Sequence, residues 1–181
     1  IAGVKVIIST KHGYDDYERT SIFYKLNRIP GRWLTRAITI SDALKSKVAE
    51  AEGIAPNKMV TIHYGLKGEQ YAACKSRTTD INFFEDNICS LITVGRLIPV
   101  KGYEYLIEAL AGVQNDFRFL FIGDGPLRGD LEKMIVQLNL SQKVRFLGYQ
   151  KGVSSILSKT DIFVLPTLGE GFGLVLLEAM A

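Results

Sequence analysis

Cysteine is scarce in this chain: of 181 residues only Cys74 and Cys89 are cysteines, and neither lies in a Cys-x-x-Cys or histidine-rich grouping. A disulfide framework and a zinc site are therefore not expected, and a reducing, cytoplasmic setting is. Long apolar runs are also missing. No stretch reaches the roughly 18 residues a membrane span requires, and the start, Ile1 to Lys5, lacks the form of a signal peptide. Charge of one sign is missing too, since 22 Lys and Arg against 19 Asp and Glu leave a formal net charge of +3. That balance argues against nucleic acid or an acidic membrane as partner, although it is compatible with peripheral membrane contact in a full protein. The chain contains no internal repeat, no low-complexity tract and no Asp-x-Asp motif. Gly123-x-Gly125 finds its third glycine, Gly129, one place late for the dinucleotide fingerprint, so a nicotinamide cofactor is not expected.

What is present is a hydrophobic content of 47%, enough for a sizeable core in one domain or a domain and a piece. Val4 to Thr10 reads as a buried strand, and with no turn before it looks cut from a longer protein. Glu18 to Leu34 reads as helical in pieces, broken at Arg28-Ile29-Pro30-Gly31. Ala37 to Ile40 is expected as a short strand. Ser41 or Asp42 caps a helix with Leu44 and Val48 on one face, ending at Gly53, and Met59 to His63 follows as a strand. Residues 66–87 lose periodicity, gather charge and include Cys74, which marks a linker.

Beyond it the pattern alternates regularly. Strands are expected at Ile88 to Val94, Phe117 to Ile122, Val144 to Leu147 and Ile162 to Leu165. Between them lie a helix with Tyr103, Leu106, Ile107 and Leu110 on one face, one opening at Pro126 with Leu127, Leu131, Met134, Ile135 and Leu138, and a short one over Val153 to Leu157. Such alternation predicts an α/β fold, a parallel sheet with helices on both faces, whose ligands bind beyond the carboxyl ends of the strands.

Two stretches carry candidate chemistry at those ends. Asp161 to Pro166 reads as a buried strand, and it leads through the glycine-rich Gly169-Glu170-Gly171-Phe172-Gly173 into a helix start at Leu174-Val175. This is an arrangement that points backbone N–H groups at an anion. Glu170 and Glu178 flank the loop, and the helix is apolar nearly all round, as a buried helix reads. In Gly95-Arg96-Leu97-Ile98-Pro99-Val100-Lys101-Gly102, a lysine opens a helix against the macrodipole. Arg96 and Lys101 there could close on a diphosphate. Each of these charges taken alone is more often a solvated surface group; spacing and position favour the functional reading. Gly123 to Leu127 reads mainly as a turn feeding a helix. His12, directly after the first strand, is a second candidate, and His63 reads as structural.

Pro166 to Ala181 resembles the Glu-x7-Glu signature of retaining glycosyltransferases with the GT-B fold, in particular glycosyltransferase family 4. The Gly-Arg-Leu…Lys-Gly block at 95–102, Gly123 to Leu127 and Val144 to Gly148 are similar to that family in the same order, over about residues 88–181. The resemblance implies two Rossmann-like domains. Residues 1–65 would be the end of the amino-terminal, acceptor-side domain, 66–87 the linker, and 88–181 a partial donor-binding domain. It further implies that Glu170 approaches the donor sugar and that Glu178 holds the ribose. Arg96 and Lys101 would hold the diphosphate, and Gly171, Phe172, Gly173, Leu174 and Val175 would line the donor site with their amides. Ser9-Thr10-Lys11-His12-Gly13 looks like the family's histidine segment, so His12 joins Glu170 as a catalytic candidate. Tyr64 and Lys67 stand where the family usually has asparagine and aspartate, which puts a linker contact in doubt.

The activity implied is transfer from a nucleotide-diphosphate sugar to a sugar, lipid or other small acceptor with retention. It needs neither a cofactor nor an obligatory metal, the nucleotide sugar being a substrate. No side chain stands out as a nucleophile, in keeping with front-face departure. An incomplete chain is expected not to turn over by itself. The alternatives are a non-catalytic nucleotide-binding module, which would not discriminate sugars, and a sugar-nucleotide epimerase or phosphorylase of related fold; a phosphorylase needs a pyridoxal-binding lysine, which nothing marks.

Overall fold

The structure, a computed structural model, describes residues 3–13, 31–66, 83–84 and 87–181. The helical pieces expected over 18–30, and most of the expected linker over 66–87 with Cys74, lie outside the described residues. The chain divides into two compact units, Ile1–Gly65 with Gly169–Gly173, and Leu66–Leu168 with Leu174–Ala181.

The first unit is built on a parallel sheet of β1 (Ile8–Lys11), β2 (Arg36–Thr39) and β3 (Met59–Thr61), in that order. Helix α1 (Asp42–Glu52) crosses between β2 and β3. It starts because Ser41, in an extended conformation, accepts a hydrogen bond from the Leu44 amide at 3.1 Å, and it stops at Gly53 in the left-handed region. Leu44 and Val48, four apart, close a core with Leu34, Ala37, Ile40, Ile54 and Met59. The first strand departs from expectation. It begins at Ile8 rather than Val4 and is not buried: Val4, Val6 and Ile8 are exposed, because β1 pairs only with β2 among the described residues.

The second unit is a four-stranded parallel sheet in the order β6-β5-β4-β7, formed by β4 (Cys89–Val94), β5 (Phe117–Ile122), β6 (Val144–Gly148) and β7 (Ile162–Phe163). β5 shows why it forms. Its odd positions Phe117, Phe119 and Phe121 enter one core with Tyr103, Leu106, Ile107 and Leu110 of α2 (Tyr103–Ala111) and Leu131 and Ile135 of α3 (Arg128–Gln137). Its even positions Leu120 and Ile122 enter a second core with Ile92, Phe83 and Ile156 of α4 (Val153–Leu157). Period-two alternation with both faces apolar is what a strand covered by helices on both sides requires. The expected α/β fold with helices on both faces is the one observed.

Three expectations are corrected. Pro126 does not open α3, which starts two residues later at Arg128 after a turn closed by the Arg128 amide on the Gly125 carbonyl at 3.1 Å. The strand expected over Ile162 to Leu165 shortens to two residues and is only partly covered, with Ile162 47% exposed, because β7 is an edge of the sheet. The last helix, α5 (Leu174–Met180), has no buried residue, and Met180 is 82% exposed. Its all-round apolarity predicted burial, but the described residues cover it only in part: Val175, Leu177, Glu178 and Ala179 are half-buried, and Leu174, Leu176 and Met180 are exposed.

Candidate functional site

The second sheet brings its candidate residues to one rim. From β4 the chain runs outward through β5 to β6, and then returns to the other side of β4 with β7. The order reverses between β4 and β7, and a crevice opens at the carboxyl ends of strands where connections diverge in this way. The Arg96 and Lys101 segment leaves the carboxyl end of β4, and Pro166 to Leu168 follow β7.

Backbone pairing holds these loops together. Gly95 donates to the Ile122 carbonyl at 2.9 Å, Leu97 to that of Asp124 at 3.0 Å, and Leu127 to that of Leu97 at 3.1 Å, while Gly123 donates to Gly148 at 2.8 Å. Such close approach leaves no room for side chains: a Cβ on Gly123 would stand 1.9 Å from the Gly95 oxygen, and one on Gly125 would stand 2.5 Å from the Leu97 oxygen. Leu97 is fully buried and anchors the loop, whereas Arg96 beside it is exposed. Lys101 ends a single 3-10 turn, Pro99–Lys101, which passes into α2 through Gly102 at a φ of 64°. That turn is tied to the other loop, since the Leu168 amide and the Thr167 hydroxyl both donate to the Val100 carbonyl, at 2.9 and 3.1 Å. Gly102 presses on Pro166, where a Cβ would meet the carbonyl oxygen at 2.5 Å. Motifs about seventy positions apart thus share one rim.

A pocket of about 320 Å³ opens at the carboxyl ends of β4, β5 and β6, lined by Val94, Gly95 and Arg96, by Ile122, Gly123 and Asp124, and by Tyr149, Gln150 and Val153. Its wall is mainly apolar strand end and glycine backbone, with Arg96 and Asp124 as its charged groups. Asp124 is engaged locally: one carboxylate oxygen accepts the Gly125 amide at 2.8 Å and the other accepts from Arg128 at 3.1 Å. Hydrogen bonds to Glu132 and then to Asp124 make the Arg128 guanidinium hold its proton more tightly than usual. Tyr149 and Gln150 were legible only as the loop after Leu147, and Asp124 only as a turn residue. A polar residue between two glycines at a strand's carboxyl end was the available signal for Asp124. Among the described residues, no group of three or more His, Cys, Asp or Glu side chains could hold a metal ion.

The remaining candidates divide between the two units. Glu170, Gly171, Phe172 and Gly173 belong to the first unit; Leu174, Val175 and the half-buried Glu178 belong to the second, on α5. In the first unit the loop closes on the end of β1: a Cβ on Gly171 would lie 2.6 Å from the His12 carbonyl oxygen, and the Gly171 carbonyl accepts from the Ser41 hydroxyl at 2.7 Å. His12 is exposed and its Nδ1 is hydrogen-bonded to the Tyr64 hydroxyl. Within the first unit the structure gathers His12, Gly171 and Phe172, and within the second it holds Arg96 and Lys101 at the rim of the sheet.

Doubly wound parallel sheets with glycine-walled loops at the strand ends define a class of nucleotide-binding α/β proteins. Within it the chain belongs to the family described as glycosyl transferases group 1, which residues 80–181 match. It is 32% identical over 155 residues to an uncharacterized glycosyltransferase of Methanocaldococcus jannaschii, covering 81% of this chain and 40% of that protein. It is 30% identical over 195 aligned positions to the UDP-Gal:alpha-D-GlcNAc-diphosphoundecaprenol alpha-1,3-galactosyltransferase of Escherichia coli, covering all of this chain and 50% of that protein. The chain thus spans half or less of the length of these relatives. Among solved structures, Anabaena HepE in complex with UDP and glucose superposes with a TM-score of 0.83 at 22% identity, over 97% of this chain and 50% of that one. The fold is that of the GT-B glycosyltransferases.

Proposed function

We propose that this chain is part of a cytoplasmic glycosyltransferase that takes a sugar from a nucleotide-diphosphate sugar and delivers it, with retention, to a sugar- or lipid-type acceptor. The observation that carries the reading is the pocket at the carboxyl ends of β4, β5 and β6, with Arg96 on its wall, beside the Lys101 turn that is bound to the loop after β7. Residues 88–181 then form part of the donor-binding domain, residues 1–65 the end of the acceptor-side domain, and 66–87 the linker between them.

In this reading Arg96 and Lys101 hold the diphosphate by charge-assisted hydrogen bonds and stabilise the charge that grows on it as the glycosidic bond breaks. They supply the charge that a divalent cation would otherwise bring, so transfer needs no metal. Amides from Gly171 to Val175 face the diphosphate and sugar, Glu178 accepts from the ribose hydroxyls, and Glu170 and His12 meet the sugar. The acceptor oxygen attacks from the face the diphosphate leaves, and the departing phosphate oxygen takes the acceptor's proton. Family membership supports the transfer chemistry. The Escherichia coli relative, named for UDP-galactose and a diphosphoundecaprenol acceptor, supports a uridine nucleotide and a lipid-linked acceptor.

Calorimetric titration of UDP, GDP and ADP into the chain and into Arg96→Ala tests the reading. One charged hydrogen bond contributes about 1.5–3 kcal/mol, so the variant should bind the preferred diphosphate at least about tenfold more weakly. Equal affinity in both proteins would remove the diphosphate clamp.

A further inference from the structure

His12 sits on a strand end, and nothing in its own segment explains how its ring is held. Tyr64, fifty-two residues on, supplies the answer within the first unit. The two rings lie nearly parallel, 5.8 Å apart at 13°, with the Tyr64 hydroxyl on His12 Nδ1. Phe172 meets the Tyr64 ring edge-on at 5.8 Å and 82°, and its ring centroid lies 6.1 Å from that of His63. Phe172 follows Gly171, which presses on the His12 backbone and is tied to Ser41. Contact therefore runs in a closed circuit from His12 through Tyr64, Phe172 and Gly171 back to His12.

We propose that Tyr64 is a positioning residue for His12, its phenol donating to Nδ1 so that the neutral imidazole carries its proton on Nε2. The proposal rests on the sugar-facing role given to His12 above. The direction follows from acid and base strength. A phenol O–H is a good donor, an unprotonated imidazole nitrogen is a better acceptor than a phenol oxygen, and the bond made by one ring nitrogen sets the tautomer at the other. His12 then offers a donor, Nε2–H, to a sugar oxygen. Because the Phe172 ring bears on the same tyrosine, the loop that carries Glu170 and the histidine are held by one side chain.

The tautomer is read directly by long-range proton–nitrogen NMR on the 15N-labelled chain at about pH 8, above the ordinary histidine range. Only His12 and His63 contribute, and His12→Gln assigns the signals. The proposal expects His12 with the proton on Nε2 and an acceptor-type Nδ1, and in Tyr64→Phe a loss of that single pattern to the mixture of free imidazole. The core resonances of Leu44 and Val48 should stay in place. A mixed or Nδ1-protonated His12 in the unaltered chain overturns it, whatever the variant does, and so does an unchanged pattern in a folded Tyr64→Phe. No nucleotide is present in this measurement, so the UDP titration fails or succeeds separately.

Discussion

At position 123 the backbone adopts a φ of 127°, and a Cβ would stand 1.9 Å from a carbonyl oxygen that cannot retreat without breaking the pairing of three loops. Gly123→Ala should therefore cost about 3 kcal/mol or more, combining unfavourable backbone conformation with a backbone clash. A shift of the urea midpoint checks it. Gly129 is the control: it lies in α3 with nothing near its missing side chain, so Gly129→Ala should stabilise by about 0.5–1 kcal/mol. Asp161 tests electrostatics at the same scale. Its carboxylate accepts from both the backbone amide and the hydroxyl of Ser90, at 2.8 and 2.7 Å, and the backbone bond chiefly holds its pKa below the ordinary aspartate range. A depressed carboxylate contributes stability that is full above the unfolded value, about 3.9, and is lost as the pH falls through the folded one. Urea midpoints of Asp161→Asn and the unaltered chain should differ at neutral pH and converge in acid.

Among the elements, α1 depends on one hydroxyl with two duties: the Ser41 oxygen accepts the Leu44 amide and donates to the Gly171 carbonyl. Ser41→Ala removes both and should destabilise by about 1–2 kcal/mol. Ser41→Asp keeps a capping acceptor but has no proton to donate. Hydrogen exchange should then stay slow in α1 and quicken around Gly171; equal protection at both sites would show that the loop does not depend on this bond. The capped helix was legible from Ser41, Leu44, Val48 and Gly53, because caps and spacing are local properties. The second duty of Ser41 was not, since its partner lies 130 positions away. The exposed face of α5 teaches the same point from the other side. Apolar composition states that a helix can be buried, and only neighbouring elements determine that it is.

For the whole molecule, the pocket, Arg96, Lys101 and Glu178 of the proposed nucleotide contacts lie in the second unit, so a bound nucleotide should raise the stability of that unit. At a nucleotide concentration of about 100 Kd the gain should be about 2.7 kcal/mol. Thermal unfolding with and without UDP, followed at the aromatic core of Phe119, Phe121 and Tyr103, checks it, and an unchanged transition would place the nucleotide elsewhere.

The alternation of strands and helices, the identity of the apolar faces and the glycines at strand ends were determined by the sequence alone. Phe117 to Ile122 and Val153 to Leu157 have the observed bounds because period, β-branching and turn residues act over a few positions. Strand order was decided by the tertiary structure, and with it the neighbouring ends of β4, β5 and β6 that make a pocket. So were the exposure of β1, β7 and α5, and the meeting of His12, Tyr64 and Phe172. The physical reason is separation along the chain: close contact between distant segments depends on the packing of every element between them, and no local preference encodes it.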